Sequence, residues 1–350
     1  MPTPISDFDY DLPPELIAQE PHPRRDQARL LRLDRRSGQS THQRVADLPA
    51  LLEPGDVLVV NDTRVYPARL LGRRDPSGGS VECLLLARLD DERWDVLLHP
   101  GQKLREGARA VFEAAGCRLR LEVLACHFHG RRTVRLTADD GGDVDAAVDA
   151  IGHVPLPPYI KRSPAAGDRE RYQTVYARAR GSVAAPTAGL HFTTELLKAL
   201  AARGVARATI TLHVGYGTFQ PIRGEDVESH RLAAEPFEIT PAAARTINAA
   251  LDDGRRIVAV GTTTTRVLEA AGQLGAGRVE AGSGSTDLYI SPGFDFRVVG
   301  ALFTNFHLPR SSLVVLASAF AGRETVLAAY AEAVARRYRF YSYGDAMLVV

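Results

Sequence analysis

Between residues 69 and 136 the chain changes texture. SVECLLLARL, RWDVLLH, ARAVFE, CRLRLEVL and RRTVRL follow one another at short spacing, separated by Gly, Asp and Pro turns. Runs of this length, rich in Val and Leu and punctuated by turn residues, read as the strands of a small all-β module. The flanks read differently. GDVLVVNDTRV from Gly55 is a buried strand that runs into a polar turn, and LPPELIAQ (12–19) is a short helix opened by prolines. After PLPPYIKRSP, helices and strands alternate. TTELLKALAARG is helical, VARATITLHVG a strand, and PAAARTINAALDDG a helix stopped by Gly254. RRIVAVG, TTTTRVLEAAGQLG and GALFTNFHL continue the alternation, with SSLVVLASAF and ETVLAAYAEAVARRY as closing helices. Such a pattern predicts an α/β domain with a largely parallel sheet, interrupted by the β module. Residues 272–284 are rich enough in glycine to form a mobile loop. A length of 350 residues suits this plan, since it corresponds to about 2.3 ordinary domains.

Composition excludes several classes. Hydrophobic residues at 45% and charged residues at 24% are those of a folded globular protein, unlike a disordered, collagenous or coiled-coil chain. The longest apolar run near the C-terminus, residues 313–321, falls far short of the roughly 20 residues that cross a bilayer. The N-terminal MPTPISDFDYDLPPELIAQ is acidic where a secretory signal is basic. Cytoplasmic residence and no membrane partner are therefore expected. Cys83, Cys117 and Cys126 lack C-x-x-C spacing and read as reduced thiols. Cys117, Cys126, His127 and His129 match no common zinc spacing, so no metal is expected.

The formal charge of +1 hides a skew: residues 151–230 hold ten basic against six acidic side chains. Four histidines (His153, His191, His213 and His230) lie in the same stretch. A positive surface there would suit phosphates. The excess of Arg over Lys is explained as well by codon bias as by recognition.

Polar loops cluster where strands end, the usual ligand site of open α/β folds. GTTTTR (261–266) follows a strand and opens a helix, so its N–H groups and hydroxyls can hold a carboxylate or phosphate, or simply cap the helix. It is neither a P-loop nor a dinucleotide fingerprint. AAPTAGLHFTTELL (184–197) is a loop of small residues ending in His191, which allows close approach to a flat ligand. His191, His213 and His307 are candidate acid–base groups as well as candidate structural histidines. In YSYGDAM (341–347), Asp345 is placed either to accept a ligand amine or to tighten a turn before the last strand.

FDYDLPPELIAQEPHPRRDQARLL, GDVLVVNDTRVYPARL, ERYQTVYA, GSVAAPTAGLHFT, HVGYGTFQPI, GTTTTRVLE, TNFHLPRSSL and YRFYSYGDAML together resemble the S-adenosylmethionine:tRNA ribosyltransferase-isomerase family of queuosine biosynthesis. The likeness covers both ends and the α/β part, and little of the β module. It implies a barrel-like α/β main domain (1–66 and 155–350) with a Greek-key β-barrel inserted at 67–154, acting as a monomer. It also implies a reaction. S-adenosylmethionine is consumed as a ribosyl donor to 7-aminomethyl-7-deazaguanine at the wobble position of tRNA, giving epoxyqueuosine, adenine and methionine. That chemistry asks for a base, an acid for adenine, a carboxylate clamp and a pocket for the extruded base; no metal is required. The expected clamp is Thr262, Thr263 and Arg266. Acid–base work falls to His191, His213 or His307, and amine recognition to Asp345 or Asp62, with Asn61 and Arg64 supporting the pocket. Lys161, Arg162, Arg169 and Arg171 are the expected phosphate contacts. Two other readings share the same residues: a metal- or base-assisted nucleoside or phosphoester hydrolase, and a non-catalytic RNA-binding scaffold.

Overall fold

The computed structural model describes residues 3–162, 165, 167–215, 222 and 224–350; most of the HVGYGTFQPI motif lies outside them. In chain order the elements begin with β1 (Arg29–Leu33), β2 (Ser40–Arg44), α1 (Leu48–Leu51), β3 (Val57–Asn61) and β4 (Thr63–Val65). Six strands follow: β5 (Arg69–Asp75), β6 (Ser80–Arg88), β7 (Arg93–His99), β8 (Arg109–Ala114), β9 (Cys117–Cys126) and β10 (Arg131–Ala138). Next come α2 (Val144–Ile151), α3 (Asp168–Arg171), β11 (Ala179–Ser182), α4 (Thr194–Ala202) and β12 (Ala206–Leu212). The chain continues through β13 (Glu235–Ile239), α5 (Pro241–Asp252), β14 (Ile257–Val260), α6 (Thr262–Leu274), β15 (Gly282–Thr286) and β16 (Ala301–Asn305). It closes with α7 (Ser312–Ala321), α8 (Arg323–Ala335) and β17 (Ala346–Val349). Only a 3-10 turn, Pro14–Leu16, forms where the opening prolines predict a helix.

The main sheet has nine strands in the order β15-β13-β12-β3-β14-β16-β17-β1-β2. Its centre, β12-β3-β14-β16, is parallel, whereas the pairs at the edges include antiparallel ones. Strands buried on both faces read as near-continuous apolar runs, and VLVV of β3 and IVAV of β14 are such runs. Val57 and Val59 pack with Ile210, Ala259 and Leu302 against α5, α6, α7 and α8. The alternate residues Leu58, Val60, Val258, Val260 and Phe303 pack against α4 and Phe192. A period of two thus divides one run between two cores. Burying each such side chain contributes roughly 1.5–3 kcal/mol.

The sheet does not curl into the barrel that the family likeness implies. It stays open, and its end strands show why: β2 is polar and mostly exposed, and β15 is GSGST, sequences suited to solvent-facing edges. Only the middle of the glycine-rich stretch, 275–281, is a loop. Its first residues close α6 and its last belong to β15, which pairs with β13, where the Phe237 ring covers Gly284.

Residues 69–138 form a closed six-stranded barrel, β10-β7-β6-β5-β8-β9, antiparallel throughout. Its interior holds Leu85, Trp94, Val96, Phe112, Leu121 and Val134, with Val148 and Ile151 of α2 packed on it. Outside, alternate residues form ion pairs such as Arg69 with Glu82 and Arg120 with Asp139, both at 2.7 Å. His127 precedes a 3-10 turn, Phe128–Gly130. Among the described residues no single helix is long and apolar enough to cross a membrane; α7 and α8 pass only as a pair bent by 116°.

Candidate active-site cleft

Because the central strands are parallel, Leu212, Asn61, Val260 and Asn305 all end at one edge of the sheet. A cleft opens there, lined by residues 184–188, Val214, Gly261, Thr262, Thr263, Thr304, Asn305, His307, Leu313, Tyr341 and Ser342. The N-terminus of α6 forms one wall. Gly261 turns the chain from strand to helix with φ +89°, a conformation that disfavours any side chain. The hydroxyls of Thr264 and Thr265 bond back to the carbonyls of Val260 and Gly261. Thr262 and Thr263 line the cleft, and no side chain caps the helix. Unpaired N–H groups at the positive end of a helix dipole make an anion site.

Two deeper residues hold that helix still. Arg266 bonds Leu288 O, Thr286 O and the Glu235 carboxylate at 2.5 Å, and both partners of the ion pair are almost fully buried. Glu269 accepts the N–H groups of Arg297, Val298 and Val299. Arg266 therefore does not reach the cleft as a clamp residue; one turn into the helix, its side chain points to the β13 and β15 edge. The other Glu235 oxygen accepts the Gly215 N–H at 2.8 Å, which ties the Val214 wall to the same pair.

Opposite α6 runs the small-residue loop. Its 3-10 turn, Thr187–His191, passes so close to Tyr176 that a Cβ on Gly189 would overlap the Tyr176 hydroxyl. Thr187 donates to Asn305 Oδ1 at 3.2 Å, leaving the Asn305 amide to donate to His191 Nε2 at 3.0 Å. His191 is therefore held neutral, and burial pushes its pKa down to about 4. His307 lines the cleft beside Thr304, 3.0 Å from its hydroxyl, and burial pushes its pKa down to about 3. Its backbone is fixed by the Tyr10 and Tyr330 hydroxyls.

The three candidate histidines do not converge. His307 lines the cleft, and His191 sits behind Asn305. His213 turns to the β4 side, bonded to Thr63 at 2.8 Å against Gly181, and half-burial lowers its pKa. Asp345 is saturated: it accepts Arg29 N, Arg29 Nε and Arg339 N, and so pins β17 to β1 without facing a ligand. Asn61 bridges β3 to both backbone groups of Leu212. Asp62 is bound by Thr211 and Arg178. Arg64 is exposed on β4. Among the expected phosphate contacts, Arg162 pairs with Asp168 at 2.6 Å, while Arg169 and Arg171 donate to backbone carbonyls of residues 149, 22 and 23. Lys161 is exposed.

Sequence reasoning passed over Thr187, Thr304, Asn305, Tyr341 and Ser342, all in the lining. One signal was available: β16 ends on two polar residues that are 1% and 2% exposed, and buried polar groups demand partners. Tyr341, with φ +72°, offered none, because a left-handed tyrosine is set by its surroundings.

A family model described as queuosine biosynthesis protein matches residues 5–349. The S-adenosylmethionine:tRNA ribosyltransferase-isomerase of Anaeromyxobacter sp. (strain Fw109-5) is 54% identical, covering 99% of this chain and 98% of its own. That of Heliobacterium modesticaldum is 51% identical, covering 98% of each. The crystal structure of S-adenosylmethionine tRNA ribosyltransferase from Thermotoga maritima aligns with a TM-score of 0.57 at 38% identity, over 99% of this chain and 100% of that one. With the match running through both the barrel and the strands that build the cleft, the chain belongs to the queuosine biosynthesis protein family.

Proposed function

We propose that this chain is an S-adenosylmethionine:tRNA ribosyltransferase-isomerase, moving the ribosyl group of S-adenosylmethionine onto 7-aminomethyl-7-deazaguanine at the tRNA wobble position. One observation carries the reading: an uncapped helix N-terminus with Thr262 and Thr263 faces a neutral imidazole, His307, in one narrow cleft. The methionine carboxylate suits the α6 N-terminus, and an aromatic ring in the lining, Tyr341, suits the sulfonium. The sulfonium acidifies the 5′ carbon. A base takes one of its protons, adenine leaves, the aminomethyl nitrogen attacks, and an epoxide closes as methionine departs.

His307 is the assigned base, since a neutral imidazole keeps a lone pair for the proton. The carboxylate held at α6 raises its basicity. Thr304 holds its ring, and the Tyr10 and Tyr330 hydroxyls hold its backbone. The reaction so written contains no step that needs a metal. Support for a Greek-key insert at 67–154 comes from the order β8-β5-β6-β7, in which the fourth strand lies beside the first. The division into 1–66 with 155–350 and 67–154 follows the separation of the barrel core from the two sheet cores. Action as a cytoplasmic monomer is part of the same proposal.

The test incubates the protein with S-adenosylmethionine and tRNA bearing 7-aminomethyl-7-deazaguanine. Free adenine matched by a cyclopentanediol-epoxide gain in nucleoside mass is expected. Adenine without a change in the tRNA would make the protein a hydrolase.

A further inference from the structure

A second concavity, about 1090 Å³ against about 60 Å³ for the cleft, opens elsewhere on the molecule. It lies on the α4 face of the main sheet, with Leu58, Leu200 and Val205 among its apolar lining. Three cations line it, Arg178, Lys198 and Arg207, against one acid, Asp62. That acid is 2% exposed and already bound by Arg178 and Thr211, so the field of the groove is positive. Lys198 and Arg207 are exposed and have no ion pair or side-chain hydrogen bond among the described residues. Four arginines of the same basic stretch contrast with them: Arg162, Arg169, Arg171 and Arg180 are committed to carboxylates or carbonyls. Exposed Val175 and the Tyr176 ring add apolar surface, and the buried Tyr176 hydroxyl has no partner.

Groove and cleft share a wall. Tyr176 belongs to the groove and packs against Gly189, while Thr187 and Ala188 of the same turn line the cleft. A strand lying in the groove can therefore reach the cleft by crossing one turn of chain.

We propose that this groove holds the phosphodiester backbone of the tRNA strand next to the reacting nucleotide, with Lys198 and Arg207 on its phosphates and Arg178 at the end toward the cleft. The assignment rests on the tRNA reading above. Apolar walls beneath unpaired cations are what a single strand requires, since they receive bases while the rim neutralises phosphates. Arg178 is left out of the test because removing it would strand the buried Asp62 carboxylate.

The experiment compares the full chain, the double variant Lys198→Gln/Arg207→Gln and a control, Arg245→Gln. Arg245 is exposed on α5, which packs on the opposite face of the sheet. Binding of labelled tRNA is followed by fluorescence anisotropy over roughly 50–200 mM salt. The double variant is expected to bind at least about tenfold more weakly at the low-salt end. Its slope of log K against log salt should be shallower by about 1.4–1.8, two phosphate contacts at roughly 0.7–0.9 each. The control should follow the unsubstituted protein. If that protein binds tRNA and the double variant matches it in affinity and slope, the groove assignment is overturned while the tRNA reading stands. If the unsubstituted protein shows no salt-dependent affinity for tRNA, the tRNA reading fails and the groove falls with it.

Discussion

The barrel and the main sheet deal with strand ends in opposite ways. Every barrel strand pairs antiparallel with two neighbours, and its ends are closed by turns such as the one at Gly107 and by α2. Its charges face outward in ion pairs, for example Arg135 with Glu122 at 3.1 Å. The main sheet runs four neighbouring strands in one direction, so their ends accumulate at one edge, where helices begin and N–H groups are left over. Among the described residues none of the cleft lining comes from the barrel. Direction of pairing thus decides where chemistry can sit, more than burial or composition does.

Replacing His307 by Gln should break this contrast most sharply. The loss expected for a general base is about 10²–10⁴-fold in adenine release; a loss within about threefold, with the fold intact by circular dichroism, would take His307 out of the chemistry. Next in size is Phe112→Ala in the barrel core, expected to cost about 3–5 kcal/mol. Trp94, the single tryptophan and 4% exposed inside the barrel, reports this unfolding by fluorescence. Turnover should survive wherever the main sheet remains folded, and its disappearance with the helical signal intact would make the barrel part of the site.

Acid should act on the other region, and more gently. His191 and His307 have pKa values of about 4 and about 3, against an unfolded value near 6.5. The unfolded chain binds the extra protons, so stability is complete above about pH 6.5 and falls as pH drops toward 4. Each histidine contributes up to about 1.4 kcal/mol per pH unit within that window. His99 and His127 of the barrel are exposed. Urea unfolding at pH 7 and pH 5 should therefore show the helical signal weakening before Trp94 fluorescence; coincident loss would mean that the two regions unfold as one.

Much of this was legible in the sequence. The β module announced itself by short Val- and Leu-rich runs between turn residues, the sheet strands by continuous apolar runs, and α6 by threonines following a strand. Thr262, Thr263 and His307 were found because polar residues directly after an apolar strand stand at a sheet edge whatever the topology. The missed residues belong to a different class. Thr304 and Asn305 became part of the site because β14 lies beside β16, and Tyr341 because Phe306 accepts its N–H.

The sequence by itself determined the apolar strands, the long helices and the family, since local periodicity and residue type act over a few positions, but not the 3-10 turn at Pro14–Leu16 or strand β15. Tertiary structure alone decided which charged groups are free. Arg266, Asp345, Arg162 and Arg171 read as ligand-binding residues, but each meets its partners across at least six positions in the chain and as many as 316. A buried charge must be paired, and which partner satisfies it depends on which segments the fold brings together. For the same reason Lys198 and Arg207, unremarkable in the sequence, are left exposed along the groove on the α4 face of the sheet.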